Sequence, residues 1–221
     1  MAVIIRRIFG NPSGKFGQSI FRNRYGKIVA YSKPANQRVS KSVAAKEARK
    51  QFALTVAFAK IINGMSVLSE VWRNAKMPGT SAYHKIIKHN NSLTSGKGLT
   101  IKNIITPPCN YSAIDEIHKT KYGVIVSFSK MFKETIIDSE SNAKLCIIIY
   151  LHNAFLWILP EFRLSGEVIS LSSHIPLNEI EVKLPDVPFN MYNNATIYAS
   201  VYHGTNTQHR VRCSNTYAKE I

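Results

Sequence analysis

The sequence predicts an α+β protein, with a basic extended arm and helices at the N-terminus and an antiparallel β-sandwich or barrel at the C-terminus. Three observations carry that expectation. Apolar residues recur at helical spacing between residues 43 and 89. From about residue 99 they fall instead into short β-branched and aromatic runs separated by Pro, Gly and Asn. The formal charge of +16 lies wholly in the first half: residues 1–105 hold 19 Lys and Arg against 2 acids (Glu47 and Glu70), whereas residues 106–221 hold 10 against 11. The expected divisions are an extended basic arm over 1–40, a helical region over 41–105 and a β-rich domain over 106–221.

The first 40 residues are punctuated by Gly10, Gly14, Gly17 and Gly26 and by Pro12 and Pro34. Short apolar pieces lie between them, namely Val3 to Ile5, Ile20-Phe21 and Ile28 to Tyr31. This stretch is too apolar for a free tail and too broken for a helix. It reads as an arm with a hairpin near Tyr25-Gly26, burying its aromatics against the β domain or another subunit.

Residues 43–63 give the clearest helix, with Ser40 or Ser42 as the capping candidate. One apolar row runs Ala48, Phe52, Val56, Ala59, Ile62, and a second runs Leu54, Phe58, Ile61, Met65. Lys41, Lys46, Arg49 and Lys50 crowd its start, where the helix dipole prefers anions. Asn63-Gly64 ends this pattern. A second helix is expected over about Ser66–Ala75, and a third from the Thr80/Ser81 cap to about His89 after the Pro78-Gly79 turn.

Beyond residue 99 the expected strands are Leu99 to Ile105, Val124 to Phe128, Leu145 to Leu151, Phe155 to Leu159, Val168 to Leu171, Ile180 to Leu184, Thr196 to Tyr202 and His209 to Cys213. The Thr196 and His209 strands are expected to form a terminal hairpin across Gly204 to Asn206. The apolar runs at Leu145 and Ala154 are too short to cross a membrane as helices.

No catalytic motif is present. The segment Gly10 to Lys15 is two residues short of a Walker loop, and Phe16 stands where Ser or Thr belongs. The seven histidines are scattered, and the three cysteines, Cys109, Cys146 and Cys213, form no CxxC pair. Asp115-Glu116 and Asp138/Glu140 read as solvated acids in loops. No enzymatic activity, metal or cofactor is therefore expected. The N-terminus lacks the apolar core of a signal peptide, so the expected location is the cytoplasm or a virion released by lysis.

The remaining signal is basic and aromatic. Arg6, Arg7, Lys15, Arg22, Arg24, Lys27, Lys33, Arg38 and Lys41 interleave with Phe9, Phe16, Phe21, Tyr25 and Tyr31, and Lys46, Arg49 and Lys50 continue the series into the first helix. Cations of this kind neutralise phosphates while aromatics stack on bases. The same aromatics can instead anchor the arm on protein.

Gly14-Lys-Phe-Gly17, Arg24-Tyr-Gly-Lys27, Pro34 and the Ala-rich basic turn Ala44 to Phe52 resemble a family of uncharacterised bacterial and phage-associated proteins. The resemblance spans about residues 10–65. It implies a β-rich region after the helices and a structural or genome-handling role. The expected function is a non-enzymatic assembly protein of a virion or other large particle, whose partners are subunits of the same assembly. The alternative is a nucleic-acid-binding accessory protein that uses the same basic half on DNA or RNA.

Overall fold

A computed structural model describes residues 2–4, 13–32, 40–120, 123–130, 132, 142–154, 160–171, 178–184, 188–204 and 211–221. The fold is α+β, with three helices and open antiparallel sheets in place of a closed barrel. The chain divides into two compact units, Met1–Ser42 and Val43–Ile221.

The first unit corrects the expectation of an extended arm. β1 (Ala2–Ile4), β2 (Gly14–Phe16), β3 (Ser19–Arg24) and β4 (Lys27–Ser32) form a four-stranded antiparallel sheet in the order β1-β4-β3-β2. Gly17 and Gly26 sit in its turns, whereas Gly14 opens β2. The expected hairpin is present: Arg24 pairs with Lys27, and Tyr25 and Gly26 take positive φ of 53° and 77°. Two such residues make the mirror-image turn whose twist matches that of paired strands.

In the second unit the helices are α1 (Val43–Gly64), α2 (Ser66–Asn74) and α3 (Ala82–Asn90). Ser81 caps α3 as expected, its Oγ accepting from the His84 amide at 3.3 Å. On α1 the row that packs inward is Leu54, Thr55, Phe58, Ala59 and Ile62. The row beginning at Ala48 and Phe52 starts in solvent, and Phe52 is 52% exposed. Both expected rows reach the core in the second half of the helix, through Leu54, Phe58 and Met65 of one and Ala59 and Ile62 of the other.

Strands β5 (Ile114–Lys119), β6 (Gly123–Phe128) and β9 (Glu179–Lys183) form a three-stranded sheet, ordered β5-β6-β9. The larger sheet runs β11-β10-β7-β8, from β7 (Asn142–Ala154), β8 (Phe162–Leu171), β10 (Tyr192–Gly204) and β11 (Val211–Cys213), with β12 (Tyr217–Glu220) also on β10. The terminal hairpin forms in the register Tyr202 to Cys213. β12 then continues along the same strand, with Thr196 opposite Glu220.

β7 sits between two hydrophobic cores. Ala143, Leu145, Ile147, Ile149 and Leu151 pack toward the small sheet, among Val124, Val126 and Ile180. Cys146, Ile148 and Tyr150 pack toward the helices, among Phe58, Leu68, Trp72 and Ile86. A strand covered on both faces has no solvent side, so its sequence is apolar throughout and not alternating. The unit is thus layered as helices, large sheet and small sheet.

Leu99 to Ile105, expected as a strand, is irregular. It is tied by buried amides: Asn103 Nδ2 donates to Thr94 Oγ1 at 2.9 Å and Asn90 Oδ1 at 3.1 Å, and Asn103 Oδ1 accepts from the Thr100 amide at 2.8 Å. Asn90 Nδ2 donates to the Ile104 carbonyl at 3.0 Å. These side chains supply the partners that a neighbouring strand would otherwise give. Asp115 and Glu116 also lie on a strand, β5, instead of in a loop. The expected strand Phe155 to Leu159, the His209-Arg210 end of the last strand and the Asp138/Glu140 pair lie outside the described residues.

Candidate functional site

The N-terminal unit carries nine cations (Arg6, Arg7, Lys15, Arg22, Arg24, Lys27, Lys33, Arg38, Lys41) and no carboxylate. Strand register decides which of them meet. Side chains alternate along a strand, and residues directly opposite each other share a face. Ile20, Arg22 and Arg24 therefore share one face of β3. Lys15 joins them opposite Ile20, and Lys27 joins them opposite Arg24. Tyr31, also opposite Ile20, lies on this face, and the Arg22 guanidinium sits 5.7 Å from its ring centre. The other face holds Phe16, Phe21, Ile28 and Ala30, with no cation among them.

Four of the candidate residues, each exposed, are thus gathered on one face around the buried Val29. Tyr25, 77% exposed, stands at the tip of the hairpin between Arg24 and Lys27. A bulky residue with positive φ is an outlier where Gly or Asn is favoured. Strain of that kind collects at binding sites.

The other candidates separate. Arg6, Arg7, Lys33 and Arg38 lie outside the described residues. Lys41 is exposed ahead of α1, and Lys46, Arg49 and Lys50 occupy its first two turns. Lys50 is in an ion pair with Glu161, which neutralises it as an anion receptor. No acid occupies the first turn of α1.

A second surface was not singled out from the sequence. β8 and β9 end their respective sheets, and a cavity of about 430 Å³ opens between them. It is lined by Glu167 and Ile169 of β8 and by Glu179 to Lys183 of β9, whose Ile180 and Val182 turn to the core and whose Glu179, Glu181 and Lys183 lie on the exposed side of the strand. Glu179 Oε1 accepts from Ser127 Oγ at 3.1 Å. The signal available in the sequence was the alternation Glu179-Ile-Glu-Val-Lys183, which puts acids on one side of a strand and apolar residues on the other.

Among the described residues, no group of three His, Cys, Asp or Glu is placed to hold a metal ion. No single helix among the described residues is long and apolar enough to cross a membrane. Cys146 is buried and Cys213 half-buried, and desolvation pushes both thiols up to about 12, which leaves little thiolate at neutral pH. Comparison with protein-family models, curated proteins and solved structures finds no match to this chain.

Proposed function

We propose that this chain is a non-enzymatic assembly protein, a component of a virion or another large particle, which contacts its neighbours through the cationic face of its N-terminal sheet. The observation that carries this reading is the convergence of Lys15, Arg22, Arg24 and Lys27 on one face of a unit that has no acid of its own. Charge of one sign, displayed on a rigid sheet, steers and orients an anionic partner. Arg24 and Lys27 stand directly opposite one another, an arrangement that destabilises an isolated hairpin and is relieved by an anion.

Nucleic acid is the second reading. The exposed Tyr25 ring between two cations is what stacking on an unpaired base requires. The two are separated by measuring the mass of the purified chain by light scattering, with and without random single-stranded RNA. The assembly reading expects an oligomer without nucleic acid that R22E/R24E/K27E reduces in size. A wild-type monomer that binds RNA, with affinity falling steeply with salt, selects the other reading.

A further inference from the structure

We propose that the acidic cleft between β8 and β9 receives the N-terminal sheet of a second copy of this chain, which deepens the assembly reading above and rests on it. Three features of the cleft point to a protein strand or sheet as its occupant. β8 pairs only with β7 and β9 only with β6 among the described residues, so both present an unpaired backbone edge. Ile169, half-buried, and Ile180 and Val182, at 8% and 5% exposed, offer an apolar floor at the open end of the sandwich. Glu167 lies opposite Ile147 and Ile169 opposite Leu145, so both occupy the side of β8 that faces the small sheet.

A carboxylate on the inner side of an edge strand is a known guard against indiscriminate strand pairing. Here it also selects. Three glutamates against Lys183 leave the lining at a net −2. A neutral or acidic strand entering the cleft would bury these charges unpaired, whereas a cationic one would pair with them. The N-terminal unit of a second copy answers that requirement with four cations on one face. The donor and acceptor surfaces differ, so the contact is head-to-tail and each copy offers one of each.

The test uses the full chain, sedimented over a range of concentration. The wild type is expected to self-associate. E167K/E179K/E181K and R22E/R24E/K27E are each expected to be smaller alone and to form a complex when mixed, because the intact face of one meets the intact cleft of the other. E167Q/E179Q/E181Q, with circular dichroism and melting as in the wild type, is expected to weaken association about tenfold, the loss of three exposed pairs.

If R22E/R24E/K27E dissociates the oligomer and neither cleft variant does, the cleft is overturned and the assembly reading stands. Failure of the two charge-reversed chains to associate on mixing also overturns the cleft. A wild type that stays monomeric to about 100 µM, whether or not it binds random RNA, removes the cleft proposal and the assembly reading together.

Discussion

Replacing Asn103 with Ala tests whether the segment after α3 is held by its amides or by its apolar residues. Asn103 is fully buried, and its carboxamide ties the end of α3 to Thr94 and Thr100. Nδ2 reaches the Asn90 carbonyl at 3.3 Å, Asn90 Oδ1 at 3.1 Å and Thr94 Oγ1 at 2.9 Å. Oδ1 takes the Thr100 amide at 2.8 Å. Asn90 Oδ1 keeps the Ile104 amide and Thr94 Oγ1 keeps the Asn90 carbonyl, so Ala orphans chiefly the Thr100 amide. Three good bonds at ~1 kcal/mol each give a loss of about 3 kcal/mol.

Urea unfolding should show this as a lower midpoint with an unchanged slope. Thr94→Val removes fewer bonds and should cost ~1 kcal/mol. The double variant should fall short of the sum, because the two side chains share a bond. A loss below ~1 kcal/mol for Asn103→Ala would refute the argument. It would mean that Leu99 and Ile105, both buried, fix the segment by packing alone.

Three further outcomes are expected. Tyr25→Asn should raise stability by up to ~1 kcal/mol, since Asn tolerates positive φ, while weakening whatever association the hairpin tip supports; melting and sedimentation of one sample check both. Native protein at pH 8 should leave Cys146 and Cys213 unlabelled by iodoacetamide while the unfolded chain labels fully, as mass spectrometry would show, because burial holds both thiols near 12. Burial also holds His89 and His152 below the ordinary value of 6.5, so the unfolded chain takes up protons first and stability falls as pH drops through that value. Glu116 is held low by its hydrogen bond from Lys219 and then by His118, so its contribution is full above the ordinary carboxylate value and is lost below it. Melting against pH should therefore lose its upper limb in H89Q/H152Q and part of its lower limb in E116Q.

What the sequence made legible follows from how many faces each element buries. α1 showed because one helical row feeds a single core, and β7 showed because burial on both sides leaves an unbroken apolar run. β5 did not show. A bulge between Ile114 and Glu116 spaces its two buried isoleucines three apart, so the period of two is lost. Leu99 to Ile105 misled for the opposite reason. Leu99 and Ile105 reach the core from an irregular segment whose hydrogen bonds come from Asn90 and Asn103, partners remote from a strand pattern. The cations of the first unit could be named from the sequence. Their convergence required the register of β2, β3 and β4, where a shift of one residue would have sent half of them to the other face.

The distribution of carboxylates then decides which cations look outward. In the second unit acids are at hand: Lys50 pairs with Glu161, and Lys219 with Glu116. The first unit has none, so Lys15, Arg22, Arg24 and Lys27 cannot be neutralised from within it. Setting Arg24 opposite Lys27 across a two-residue turn, and Tyr25 in a conformation that favours Gly or Asn, lowers the stability of that hairpin. Both departures lie at one tip and on one face. A solvated surface patch would have no need of either, since spreading the cations over both faces would keep the same solubility with less repulsion. Concentrating them suits an anionic partner, and in the head-to-tail contact proposed above that partner is the Glu167, Glu179 and Glu181 edge of a second copy.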